Sequence, residues 1–229
     1  MSAASEPVTL NQPLSGTRLR IVSAIVMIVP AIAAVYFGPP WFTALVIAVA
    51  IAMAWEWSRM CNRDPFWLVV GAIYIAVPCG ILIWLRQDQQ AGMITILWLF
   101  LLVWSADTGA YISGRAIGGP KLAPRISPNK TWAGFFGGVS LAGIVSGVFG
   151  YVWEGDVITL FLWGAVIAIA SQSGDLIESA AKRHFNVKDS SSLIPGHGGV
   201  LDRVDALITA SIAAAILKFT FGRTAVPWL

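Results

Sequence analysis

Apolar residues run in long blocks along this chain, and short polar stretches separate them. Seven blocks carry almost no charge: Ile21–Phe37, Trp41–Trp57, Phe66–Leu85, Met93–Ile112, Gly134–Trp153, Val157–Ser179 and Val204–Phe219. Most approach the ~20 residues a helix needs to cross a bilayer. The pattern predicts an all-α, polytopic integral membrane protein with about seven transmembrane helices. Residues 1–17 are polar and contain Pro7, Pro13 and Gly16, so a disordered tail is expected there. Residues 18–229 then form a single transmembrane domain. The first block follows Arg18 and Arg20 as a signal peptide would, but no small-residue cleavage site follows it, so it reads as a retained span. No internal repeat is visible, which argues against a transporter built from two matching halves.

Composition agrees. Of the 229 residues, 57% are apolar and 12% charged. The mean hydropathy is +0.74. A disordered chain, a coiled coil, a nucleic-acid-binding domain and an ordinary cytosolic enzyme are all excluded by these values. The net charge of +3 is explained by membrane topology. Arg18 and Arg20, Arg59 and Arg63, the group Arg115, Lys121, Arg125 and Lys130, and the group Lys182, Arg183, Lys188 and Arg203 all fall on one side of the predicted bundle. By the positive-inside rule that side is cytoplasmic, with the N-terminus inside and the C-terminus outside. Lys218, near the far end of the last span, is placed to snorkel outward. Cys61 and Cys79 are separated by most of a helix length, which is beyond disulfide reach.

A carboxylate inside a transmembrane helix is costly, so each one marks a candidate site. Glu56, Asp107, Asp175, Glu178, Asp202 and Asp205 all lie at the same predicted depth, on the cytoplasmic side. Asp175 with Glu178, and Asp202 with Asp205, have i, i+3 spacing and share a helix face. The acids of spans four, six and seven are expected to converge on one cytoplasmic-side polar cavity. Carboxylates suit Mg²⁺. The negative C-terminal ends of spans four and six point to the same place, while the positive N-terminus of span seven could hold a phosphate. The flanking loops are basic and rich in glycine: Ser113–Ala133, then Lys182-Arg183, Lys188-Asp189 and Pro195-Gly-His197-Gly-Gly199. Glycines admit a backbone close to phosphate, and lysines add charge. Acidic metal ligands beside such loops are what phosphoryl or nucleotidyl transfer requires. Simpler readings stand beside these. Glu56 has Arg59 one turn away as a partner, Asp107 alone could be a packing polar group, and His184 reads as a loop residue. Trp55, Trp57, Trp67, Trp153 and Trp163 suit the interfacial belt or helix packing.

The run Ser179-Ala-Ala-Lys182-Arg183, Lys188-Asp189, Pro195-Gly-His197-Gly198-Gly199 and Asp202-Arg203-Val-Asp205 resembles the signature of the phosphatidate cytidylyltransferase family, also called CDP-diacylglycerol synthases. Trp55-Glu56-Trp57, Asp107-Thr-Gly-Ala-Tyr111, Ser127-Pro-Asn-Lys130-Thr131-Trp and Ser173-Gly-Asp175-Leu-Ile-Glu178-Ser179 resemble its other motifs, in order, over about residues 50–205. Ala181 and Ala133 depart from the pattern, which commonly has a larger aliphatic residue and Glu there.

The resemblance implies nucleotidyl transfer from CTP to phosphatidate, giving CDP-diacylglycerol and pyrophosphate in phospholipid biosynthesis. Its implied setting is a bacterial-type inner membrane with the site facing the cytoplasm. Asp175 and Asp202 are then the expected Mg²⁺ ligands, with Asp107 or Glu178 adding a contact, and a second cation is allowed. Asp205 would hold Arg203 or Lys188 in place. Lys130, Lys182, Arg183 and Lys188 would meet the phosphates of CTP or lipid. Ser127 and Thr131 would donate hydrogen bonds to phosphate, and His197, Gly198 and Gly199 would line the nucleotide pocket. CTP, phosphatidate and the bilayer are the expected partners, with no nucleic acid. A homodimer is conceivable, though no face of the chain marks its interface. Two alternatives remain: a CTP-dependent polyprenol or phytol kinase, and an ion-coupled membrane transporter.

Overall fold

The structure, a computed structural model, describes the backbone of residues 16–225 and the side chains of residues 21–221. Seven helices follow one another: α1 (Gly16–Phe37), α2 (Trp41–Met60), α3 (Pro65–Gln87), α4 (Gly92–Ala116), α5 (Trp132–Val152), α6 (Val157–His184) and α7 (Leu201–Ala225). Of these, α2 to α7 are long and apolar enough to cross a membrane, and α1 contributes a shorter apolar stretch, Ile21–Phe37. The expected tail lies outside the described residues, except that Gly16 and Thr17 belong to α1.

Helix ends fall where capping chemistry puts them. Asp64 accepts the Trp67 amide at 3.2 Å and precedes a proline at the first position of α3. Asp156 accepts the Thr159 amide at 3.0 Å to start α6. Thr131 accepts the Gly134 amide at 3.1 Å, so α5 begins at Trp132, two residues before the expected Gly134. Helices α4 and α6 also run past their expected ends, to Ala116 and His184.

The all-α bundle holds, and the loop between α4 and α5 adds one small element to it. Its residues form a small antiparallel hairpin, β1 (Lys121–Ala123) with β2 (Ser127–Thr131), in which Lys121 pairs with Thr131 and Ala123 with Ser127. The guanidinium Nε of Arg183, at the end of α6, donates to the Ile126 carbonyl at 3.4 Å and ties the hairpin tip to the bundle.

The core is built on α4, α5 and α6. Small residues let α4 and α5 approach closely, as in other membrane helix pairs. A Cβ on Gly109 would lie 2.6 Å from the Gly137 carbonyl oxygen and 2.9 Å from Leu141 Cβ. Interhelical hydrogen bonds add to this contact. Trp98 Nε1 donates to Ser146 Oγ at 3.1 Å, and Ser146 Oγ donates to the Leu160 carbonyl at 2.6 Å, linking α4, α5 and α6. Thr209 Oγ1 donates to the Ala170 carbonyl at 2.7 Å and joins α7 to α6. Gly109→Val is expected to force α4 and α5 apart at a cost of about 1–3 kcal/mol. A drop in the thermal unfolding midpoint of the detergent-solubilised protein checks this, and an unchanged midpoint contradicts it.

At the end of the bundle away from the basic loops, Lys218 Nζ pairs with Asp88 at 3.1 Å and sits 5.4 Å over the Trp84 ring. Lys218 is thus engaged by the loop between α3 and α4. The Asp88 carboxyl lies below its usual range: partial burial opposes ionisation, but the amides of Ala91 and Gln90 and the Lys218 ammonium outweigh it.

Candidate functional site

A cavity of about 890 Å³ opens at the basic end of the bundle. Its wall is of two kinds. Met27, Ala31, Leu45, Val49, Phe100 and Val103 from α1, α2 and α4 form an apolar section. Asp107, Asp175, Lys182, Asp189, His197, Asp202, Arg203 and Asp205 form a polar section. The convergence of acids from α4, α6 and α7 on one cavity is therefore present, because each helix carries its carboxylates near the same end.

Two lysines are bound into that acidic array. Lys130, on β2, places its ammonium 2.5 Å from Asp175. Lys182 lies between two acids, 2.5 Å from Glu178 Oε2 and 2.6 Å from Asp202 Oδ1. The side chains of Glu178 and Asp202 are 0% and 5% exposed. A charge so buried is tolerable only when paired, and Lys182 supplies the pairing for both acids.

The segment between α6 and α7 is folded around two carboxylates. Asp202 Oδ2 accepts the Ser190 amide at 3.0 Å, Ser190 Oγ at 2.9 Å and the Gly199 amide at 2.9 Å. Glu56, fully buried on α2, accepts Ser191 Oγ at 2.6 Å, the Val200 and Leu201 amides at 2.8 Å each, and Ser190 Oγ at 3.2 Å. Gly198 has φ of +83°, and Asp202 Oδ2 would lie 2.9 Å from a Cβ there, so glycine is required on both counts. His197 Nδ1 lies 2.8 Å from Ser23 Oγ, which ties this segment to α1.

Several expected placements change. The start of α7 is not open to phosphate, because its Val200 and Leu201 amides are taken by Glu56 and the Gly199 amide by Asp202. Glu56 does not pair with Arg59, whose guanidinium stacks 4.9 Å from the Trp55 ring centre. Among the described residues Asp205 forms no ion pair, so it does not hold Arg203 or Lys188. Thr131 is 6% exposed and serves as the α5 cap. Lys182 is engaged by Glu178 and Asp202 rather than left free for phosphate. Arg183 and Lys188 are exposed and do not line the cavity, nor do Ser127, Glu178, Gly198 and Gly199. Asp107, Asp175, Lys182, His197, Asp202, Arg203 and Asp205 do line it. The sequence pointed to neither Ser190 nor Ser191, and Asp189, part of the quoted run, was assigned no role although it faces the cavity. The only signal was the run Ser190-Ser191-Ser192 just before the glycine-rich turn.

Hard carboxylate oxygens are the donors Mg²⁺ takes, and Asp107, Asp175, Asp202 and Asp205 present them to a single cavity. Among the described residues no three acidic, His or Cys side chains are gathered tightly enough to hold an ion. The ammonium groups of Lys130 and Lys182 engage Asp175 and Asp202 instead. Asp107 and Asp205 have no ion-pair partner among the described residues. The residues fit the ion in donor chemistry, with those two carboxylates not engaged by a lysine or arginine among the described residues.

Comparison with known proteins places these features in a lineage. The profile of the cytidylyltransferase family matches residues 18–66 and 65–221. A phosphatidate cytidylyltransferase of Rickettsia bellii is 38% identical over 225 residues, covering 95% of this chain and 96% of the relative. The phosphatidate cytidylyltransferase of Brucella suis is 37% identical over 262 aligned residues, covering 91% of this chain and 94% of the relative. That of Rickettsia typhi is 38% identical and covers 83% of this chain.

Proposed function

The chain belongs to the cytidylyltransferase family, and on that premise we propose that it transfers the cytidylyl group of CTP to phosphatidate, releasing pyrophosphate and forming CDP-diacylglycerol. The observation that carries this reading is the two-part cavity. Its polar section suits phosphates and its apolar section suits the part of a lipid nearest its headgroup. A lipid and a nucleotide meet only where both surfaces are present.

The chemistry is a substitution at phosphorus. An oxygen of the lipid phosphate forms a bond to the α-phosphorus of CTP, and the bond from that phosphorus to the bridging oxygen of the β-phosphate breaks. The lipid phosphate is already ionised, so no strong general base is needed. Positioning and charge neutralisation carry the rate. Arg203, exposed at the cavity, offers a planar donor fork to phosphate. Lys130 is partly exposed and can exchange Asp175 for an incoming phosphate. His197 is oriented by Ser23 at the cavity wall. Asp107 and Asp205 would hold Mg²⁺, joined by Asp175 and Asp202 once Lys130 and Lys182 turn to phosphate, with Glu178 beside them and a second cation allowed. Such an ion, when bound, offsets the negative charge of the phosphates and of the leaving pyrophosphate. Chelation of divalent cations should stop product formation, and added Mg²⁺ should restore it. Full activity in excess chelator would contradict the metal role.

The six candidate spans support a multi-pass membrane protein. The basic loops support an orientation with the N-terminus and cavity mouth in the cytoplasm. The bacterial relatives support an inner-membrane location, where phosphatidate arrives from the leaflet and CTP from the cytosol. A homodimer is compatible with the lipid-facing helices. The direct test supplies CTP, Mg²⁺ and phosphatidate to purified protein. CDP-diacylglycerol and pyrophosphate are expected in equal amounts. A phosphorylated lipid alcohol formed from CTP would point to a polyprenol or phytol kinase, and ion flux without product to a transporter.

A further inference from the structure

Glu56 is a carboxylate within a membrane-spanning helix that neither lines the cavity nor pairs with a cation among the described residues. All of its hydrogen-bond donors come from one distant segment. Oε1 accepts Ser191 Oγ and the Val200 amide, and Oε2 accepts the Leu201 amide and Ser190 Oγ. Three of these donors serve Glu56 alone, while the single Ser190 hydroxyl proton is shared with Asp202. The segment is shaped to receive it. A Cβ on Gly199 would lie 2.6 Å from Glu56 Oε1 and would also strike Ser190 Oγ, so the chain passes Glu56 without a side chain.

The same segment is held from its other side by Asp202. The single Ser190 hydroxyl proton has two acceptors within reach, Glu56 Oε2 at 3.2 Å and Asp202 Oδ2 at 2.9 Å, so one hydroxyl bridges both carboxylates. Leu201, whose amide Glu56 holds, directly precedes Asp202 and Arg203. His197 lies between the two anchor points, Ser190–Ser191 and Val200–Leu201. Packing alone would be served by an apolar residue of similar volume, with no acceptor for the two backbone amides. A buried carboxylate at this depth is costly unless its bonds are specific.

We infer that Glu56 is a positioning residue for the transfer reaction: it fixes the segment from Ser190 to Leu201 against α2 and so sets where Asp202, Arg203 and His197 meet the cavity. This rests on the transferase reading given above. Glu56→Gln keeps the shape but replaces one oxygen with an amide group, which faces two donors and accepts from neither.

The test measures kcat, the KM for CTP and amide hydrogen exchange in purified wild type, Glu56→Gln, Ser191→Ala and the double variant. Misplacement of supporting groups costs about 10- to 100-fold. The expected result for Glu56→Gln is a fall in kcat of that size with KM little changed. Exchange should quicken within residues 190–202, while the α4–α5 core stays protected. Ser191→Ala should show a smaller effect of the same kind and add little in the double variant, because both act through one contact set. Wild-type kcat in Glu56→Gln overturns the inference. So do faster exchange throughout the bundle or fully additive losses, which mark a packing role. If Glu56→Gln does not fold, Ser191→Ala decides: a lowered kcat with local exchange supports the inference, and unchanged values overturn it. A wild type that makes no CDP-diacylglycerol rejects the transferase reading instead, and the exchange pattern reports on the clamp independently, so the two failures are separable.

Discussion

Lys182→Met is expected to destabilise the bundle by about 3–5 kcal/mol and to abolish transfer. The ammonium is 2.5 Å from Glu178 and 2.6 Å from Asp202. Removing it strands two buried carboxylates side by side, and neither has a second cation among the described residues. A surface ion pair would matter far less, because water would replace the lost partner. Burial makes the difference here. Lys182→Met with Glu178→Gln should recover part of the stability, since one stranded charge is then gone, without recovering activity. Thermal unfolding in detergent, with the rate of CDP-diacylglycerol formation, checks both statements. A Lys182→Met protein as stable as wild type would show that the three side chains are not coupled.

Asp202→Asn is expected to lower turnover by about 100-fold or more while the protein still inserts and keeps its helices. The Asp202 carboxylate accepts the Lys182 ammonium on one oxygen and three donors on the other. An amide cannot satisfy both sets. If its oxygen serves Ser190 and Gly199, its NH₂ group faces the Lys182 ammonium. If it turns round, the Ser190 and Gly199 amides lose their acceptor. Either arrangement shifts the start of α7, where Arg203 and Asp205 reach the cavity. The carboxylate is also one of the five facing that cavity, so the charge available to a cation falls. Near-normal turnover in Asp202→Asn would sink both roles.

The helices were legible because each is a long apolar block that only a bilayer-spanning helix explains. Their ends were less so. Thr131 extends α5 by local capping, and α4 and α6 continue through polar residues that hydropathy assigns to loops. The hairpin of Lys121–Ala123 with Ser127–Thr131 was not legible, since short strands containing proline carry no alternating pattern. The meeting of Asp107, Asp175, Asp202 and Asp205 was legible from common depth and i, i+3 spacing. Which charges pair was not. Lys182 reads as a phosphate ligand in a line of basic residues, yet its nearest neighbours are Glu178 one turn back and Asp202 on another helix. The role of Glu56 was hidden for the same reason: its partners are backbone amides and serines far along the chain, and backbone donors leave no mark in composition.

The central claim is that one cavity brings the α-phosphorus of CTP to the phosphate of a membrane lipid. The most direct measurement follows the label from CTP carrying radioactive phosphorus at either the α or the γ position, incubated with purified protein, Mg²⁺ and phosphatidate. The α label should appear in CDP-diacylglycerol, and the γ label should appear only in pyrophosphate. Transfer of the γ label to lipid, with the α label left in CDP, would contradict the account.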